Sequence, residues 1–272
     1  MTFRSARAIG IGVFCAGIAT ACTDASAPEG EAPQLPPQSS FVVDFSDFTT
    51  SALAVAPVGR TTQAAGTYWT RSAIVVGAWN LILTVTLAPP VAAFVAAFSH
   101  QPVWSDGVWT WPYDFNVLGV RHSARLEARS VSAGIQWDMY ISKEGEYTDF
   151  HWYTGVSNIS GTAGTWSLSR GPTSPTAFID IAWNRASSGA TYDIRYTNVV
   201  TGTNEYGSYL TYGVTGGTPY DAFYHLYGAQ AANLTEIEWN RTTKAGRTRD
   251  PAYFQDSAWR CWATDLANTT CQ

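Results

Sequence analysis

From Val103 to Asp250, apolar and polar residues alternate with a period of two, the pattern of strands that bury one face. Trp109, Trp111, Tyr113, Phe115 and Val117 interleave with Val108, Thr110, Asp114 and Asn116, and Ile135, Trp137, Met139 and Ile141 interleave with Gln136, Asp138 and Tyr140. Further runs cover 121–131, 147–153, 165–169, 176–184, 191–197, 205–212, 220–227, 234–241 and 244–250, for about eleven strands. Most connections are short and rich in Gly, Ser, Asn or Thr, as hairpins require, so consecutive strands become antiparallel neighbours. A meander of that many strands exceeds what a flat twisted sheet accommodates, and it must curl or close. The pattern predicts a mainly β protein, an antiparallel up-and-down meander of about 11 strands curled into a barrel or half-barrel. Such a barrel encloses more space than its own side chains fill.

The period is different upstream. Residues Ala73 to Phe98 contain no charged side chain in 26 positions, a composition that also suits a transmembrane helix. Pro89 and Pro90 break the run, which predicts a helix ending near Leu87 and a second one with Pro in its first turn. The first piece is then about 24 Å long, short of a ~30 Å hydrocarbon core, and Asn80 would lie unpartnered at mid-bilayer. An apolar helical hairpin at 71–100, packed on or inside the curled sheet, satisfies both the helix that needs cover and the sheet that needs filling. Membrane insertion of this segment is the alternative.

At the N-terminus, MTFRSARAIGIGVFCAGIATA has Arg4 and Arg7, no acid, and an apolar run from Ala8 to Ala19, the layout of a secretory signal peptide over 1–21. Ala19-Thr20-Ala21-Cys22 resembles the lipobox of bacterial lipoproteins, in which the Cys thiol is diacylated and becomes the mature N-terminus. The same residues also form an A-x-A site for ordinary signal peptidase, so acylated and simply secreted forms are both open. Residues 22–40 follow as the lipidated Cys and a Pro-, Ala- and Ser-rich tether, leaving 41–272 as a single β-rich domain. The expected location is the cell envelope, as an outer-membrane lipoprotein on its periplasmic or outer side.

Composition narrows the function classes. Charged residues make up 14% of the 272, against ~25% in ordinary domains. There are 38 aromatics, read from 12 Trp, 14 Tyr and 12 Phe. Loss of Arg4 and Arg7 with the signal moves the formal charge from −5 to −7, so there is no basic surface for nucleic acid. Cys261 and Cys271 in an oxidising compartment read as one disulfide closing a C-terminal loop, with metal binding the competing reading. No His lies near either Cys, and neither belongs to a C-x-x-C.

The order of lipobox, linker, apolar helices and meander resembles the bacterial lipoprotein-localisation carriers, in which helices lid the apolar cavity of a half-open barrel. The W-x-W-x-Y of Trp109, Trp111 and Tyr113, the G-x-W of Gly164 to Trp166, and Cys261-Trp262 with Cys271 loosely resemble other bacterial envelope lipoproteins. The resemblance implies a membrane-tethered, non-enzymatic carrier of an apolar ligand. It assigns no functional residue.

Catalytic signatures are missing: there is no H-E-x-x-H, G-x-S-x-G, G-x-x-x-x-G-K-[ST] or G-x-G-x-x-G. His100, His122, His151 and His225 stand singly, and neither a metal nor a cofactor is expected. In YTDFHWY, period two puts Tyr147, Asp149, His151 and Tyr153 on one face, where Asp149 could orient His151 for hydrolysis; a polar solvent-facing row is the plainer reading. Arg121, Arg125, Glu127 and Arg129 share an outward face and suit cross-strand ion pairs. Trp79, Trp137, Trp166, Trp183 and Trp239 are core by default. Trp104, Trp109, Trp111 and Trp152 are dense enough to line a cavity, to stack sugars or to dip into lipid. The residues placed around an apolar ligand are therefore Trp79, Asn80, Trp104, Trp109, Trp111, Trp137 and Trp152. Two functions follow: a barrel binding lipid or another hydrophobic ligand, or a packed structural or adhesive envelope module binding glycan or protein. If Cys22 is the acylated anchor, Cys22→Ser should move the protein from the membrane to the soluble fraction on fractionation, and unchanged retention would refute it.

Overall fold

A computed structural model describes residues 30–48 and 66–271. The signal segment and Cys22 lie outside the described residues. All described strands belong to one antiparallel sheet, with fourteen strands in sequential order and no pairing between the first and last, so the meander is an open half-barrel. They are β1 Val103–Ser105, β2 Val108–Val117, β3 Val120–Val131, β4 Gly134–Lys143, β5 Tyr147–Ser157, β6 Ala163–Gly171, β7 Ser174–Arg185, β8 Tyr192–Asn198, β9 Tyr209–Val214, β10 Ala222–Gly228, β11 Asn233–Trp239, β12 Gly246–Arg249, β13 Arg260–Trp262 and β14 Asn268–Thr269. The eleven expected strands are all present. The three additional ones are pieces of two or three residues at the sheet edges, too short to show a period.

Alternation holds along the long strands. Ile135, Trp137, Met139 and Ile141 are buried on the concave face, as are Trp166 and Leu168, Ile179, Ile181 and Trp183, and Tyr212 with Val214. Gly155 has no side chain for a reason: a Cβ there would come 2.3 Å from the Trp166 ring on the neighbouring strand.

The apolar segment forms α1 (Tyr68–Thr86) and α2 (Ala88–Ala97), bent by 75°. Thr67 caps α1 by accepting from Thr70 N at 3.1 Å. The break falls at Leu87 because Pro89 and Pro90 are tolerated only in the first turn of α2. Along α2, Ala93, Phe94 and Ala97 are buried, and the Tyr113 hydroxyl of β2 donates to Ala93 O at 2.6 Å. The start of α1 is tied to the far side of the sheet. Arg71 bonds the buried Asp250 at 2.6 Å, and Asp250 also accepts from Asn233 at 2.9 Å and caps the short α3 (Pro251–Phe254). The hairpin thus reaches from β2 to β12 and β13.

The concave face is filled first by a segment that lacks regular structure. Residues 38–48, with 3₁₀ turns at Gln38–Ser40 and Ser46–Phe48, run as a strap across β6 to β11. Trp166 Nε1 donates to Ser40 O at 3.0 Å, Tyr196 OH to Phe41 O at 2.6 Å, Tyr224 OH to Asp44 O, and Trp239 Nε1 to Asp47 Oδ2 at 2.8 Å. Phe41 is fully buried, its ring 5.1 Å from Phe94 and 4.9 Å from Tyr153. Phe48 meets Trp239 edge-on at 4.9 Å. The compact unit accordingly begins at Ala32. Residues 32–40, expected as free tether, belong to the compact unit instead: Ala32 and Leu35 pack on the core, and Ser40 is buried with its carbonyl accepting from Trp166 Nε1.

With the strap and α2 on the sheet, α1 is only partly covered. Only Trp69, Ser72, Ala73, Val76 and Leu83 of α1 are buried, whereas Ile74, Leu81, Ile82 and Val85 are 46%, 65%, 51% and 69% exposed. One apolar face of α1 therefore looks outward. If the strap is the filling of the sheet, Phe41→Ala should cost about 3–5 kcal/mol in urea unfolding. Tyr196→Phe, which orphans a buried carbonyl, should cost about 1–3 kcal/mol. Tyr153→Phe should cost nothing, because the buried Tyr153 hydroxyl has no partner among the described residues.

Candidate functional site

Where the strap meets α1 and α2, a cleft of ≈ 200 Å³ opens. Phe41, Val43 and Phe45 form one wall, and Asn80, Leu83 and Leu87 the other. The volume is below the ~300–1,000 Å³ of a pocket that takes a drug-sized ligand. Asn80 sits in this wall, its Oδ1 accepting from Thr84 Oγ1 at 2.9 Å within the helix. Beside the cleft, Ile74, Ala78, Leu81, Ile82 and Val85 recur along one side of α1 at helical spacing. No single helix of the described residues is long and apolar enough to cross a membrane.

The tryptophans singled out from the sequence have other positions. Asn80 is on the cleft, but none of the six tryptophans is in its lining. Trp111 and Trp137 are buried, with rings 5.9 Å apart. Trp79 is half-buried against the core, and Trp104 and Trp109 pair across the β1–β2 hairpin at 5.0 Å. Trp152 is buried in a small cluster with Tyr147 and Phe150. The residues that hold the strap, Tyr196, Tyr224, Trp166 and Trp239, escaped functional notice. Their signal was the apolar spacing of Phe41, Val43, Phe45 and Phe48 just ahead of the helices, which calls for rings elsewhere to pack on.

Asp149 and His151 do not form a dyad. The β4–β5 ladder shifts register twice, between Met139 and Tyr140 and between Ile141 and Lys143, and Asp149 takes a left-handed backbone conformation with φ 48°. The shift breaks period two, so that Trp152 and Tyr153 are both buried while His151 faces out. Asp149 lies 3.4 Å from Arg125. His151 Nε2 instead meets Asp138 Oδ1 at 3.0 Å, and Asp138 also accepts from Arg129 at 2.8 Å and Thr154 at 2.8 Å. This is a closed polar network on the outer face. Of the expected cross-strand ion pairs, Arg121 meets Asp114 at 2.6 Å and Arg129 meets Asp138 at 2.8 Å, while Arg125 pairs with Glu127 along its own strand.

Cys261 and Cys271 form a disulfide, with Cα atoms 5.2 Å apart. Among the described residues no three His, Cys, Asp or Glu side chains gather as a metal site. No protein-family model, curated protein or solved structure matches the chain.

The ring donors make the strap sensitive to alkali. Burial pushes the Tyr196 and Tyr224 hydroxyls far above the ordinary phenol range. Their neutral forms are the folded forms, so the stability they contribute is intact below the unfolded value of about 10 and is lost as the pH rises past it. Chemical denaturation between about pH 8 and 11 should show a falling alkaline limb that becomes shallower in Tyr224→Phe. An identical limb in that variant would show that the phenol does not titrate with unfolding.

Proposed function

We propose that the protein is a membrane-tethered, extracytoplasmic, non-enzymatic module that binds lipid or another apolar ligand through the α1–α2 hairpin. One observation carries the reading: the hairpin, uncharged from Ala73 to Phe98, exposes a continuous aliphatic face next to an apolar cleft. A large apolar face open to water marks an interaction site, because its cover contributes about 25 cal/mol per Å² removed from water. The face belongs to an elbow with no charge to desolvate, so it can lie in the headgroup and acyl boundary without crossing the bilayer. The cleft would then receive one acyl-chain end. The resemblance to lipoprotein-localisation carriers points the same way, with one physical difference: here the concave face is occupied by the chain's own strap, and the apolar surface is turned outward.

A second reading has the filled interior in its favour. A structural or adhesive envelope module needs no cavity, and its partner binds to the outside of the sheet.

The lipid reading is tested with the mature chain carrying Cys22→Ser, so that no acyl anchor contributes. It should co-sediment with vesicles of phosphatidylethanolamine and phosphatidylglycerol. Replacing Ile82 and Val85 by Asp should weaken that binding at least tenfold, about 1.4 kcal/mol. Leu83→Trp should block uptake of a polyene fatty acid into the cleft. Vesicle binding unaffected by the double substitution would sink the proposal.

A further inference from the structure

The convex face of the sheet has its own relief. Alternation that sends large rings inward leaves small or hydroxylated residues outward on the central strands. The register aligns Thr165, Ala182, Arg195, Thr211 and His225 in one row across β6 to β10. The next row aligns Ser167, Asp180, Thr197, Tyr209 and Tyr227. Two troughs of ≈ 500 and ≈ 800 Å³ lie along these rows, and Ala182 lines both. Their linings run from Gln136 on β4 to His225 on β10, a span of about 29 Å at ~4.8 Å per strand.

Charge pairing stops inside this trough. On one side Arg129 pairs with Asp138, and on the other Arg247 pairs with Glu238. Between them Asp180, Arg185 and Arg195 have no ion-pair partner among the described residues. Asp180 and Arg195 are diagonal neighbours on β7 and β8, within reach of each other. Arg195 instead lies with its guanidinium carbon 3.6 Å from the centre of the Tyr209 ring. A ring lines the far end. Phe223 packs on the bare backbone of Gly213, where a Cβ would come 2.2 Å from its ring, and remains partly exposed.

We propose that this convex trough binds an oligosaccharide chain. Asp180 and Asp193 balance Arg185 and Arg195, so no net field selects a polyanion. The floor is hydroxyls and methyls without deep apolar pockets, which suits neither an acyl chain nor peptide side chains. Unpaired carboxylate and guanidinium forks match vicinal hydroxyls, and aromatic rings beside them take the C–H faces of sugars. The length fits several sugar rings in line. The proposal deepens the envelope-module reading and is independent of the lipid reading, since the trough and the strap cleft lie on opposite faces of the sheet.

Calorimetric titration of the mature chain with chitohexaose, maltohexaose and a soluble muramidase digest of peptidoglycan tests it. At least one of these should bind, with an affinity little changed between low and moderate salt. Ala182→Trp, at an exposed position, should abolish binding and leave polyene fatty-acid uptake intact, while Arg195→Gln should weaken binding at least tenfold. Circular dichroism of both variants should match the parent. No binding by any of the three probes, binding unchanged in Ala182→Trp, or binding that collapses with salt as for a polyanion would each overturn the assignment.

Discussion

The structure depends on ring hydroxyls and indole N–H groups reaching across the concave face to the strap. A curled antiparallel meander creates an interior that its own side chains cannot fill, and a backbone segment brought in as filling carries carbonyls that must be bonded once water is gone. Tyr196, Tyr224 and Trp166 meet both needs at once, because each brings bulk and a donor to the strap backbone. The aromatic richness of the chain is in large part this arrangement. Aliphatic residues of equal volume would have packed the space and left the strap carbonyls orphaned.

The rest of the architecture follows from the interior being taken. With Phe41 and Phe48 seated on the sheet, α2 packs on β2 to β4 with Phe94 against Phe41 and Trp166, while α1, which contacts β12 and β13, keeps an aliphatic face outward. The Arg71–Asp250 pair and the Tyr113 hydroxyl fasten the two helices at opposite sides. The uncharged composition of 73–98 is compatible with a core position, yet half of α1 is not in the core. That mismatch between composition and burial gives the hairpin its functional interest.

The two faces of the sheet divide the chemistry between them. Large rings point inward and leave short side chains outward on β6 to β9, so the convex trough is the complement of the concave packing. Flanking the trough, Arg129 and Arg247 are paired with Asp138 and Glu238, whereas within it Asp180, Arg185 and Arg195 have no ion pair among the described residues. The proposed oligosaccharide site and the proposed lipid-binding hairpin thus lie on opposite faces of one sheet.

Period two, the proline break and the Cys pair were legible because each is a local property of the chain. Pleating alternates side chains wherever a strand forms, proline ends a helix wherever it falls, and two half-cystines ten residues apart can meet by closing one loop. Strand order was equally accessible, since short turns leave few alternatives. The role of Phe41 to Phe48 was not, because the spacing of four apolar residues does not say which distant rings receive them, here those of β6 to β11. The partner of His151 was hidden for a related reason: two register shifts in the β4–β5 ladder and the left-handed backbone of Asp149 separate it from His151, which meets Asp138 of the neighbouring strand. The sequence by itself thus determined the meander, the bent hairpin and the inward face of most strands. Tertiary structure alone decided which segment fills the half-barrel, and therefore which apolar surface is left facing outward, because that choice is a competition among distant segments for one concave volume.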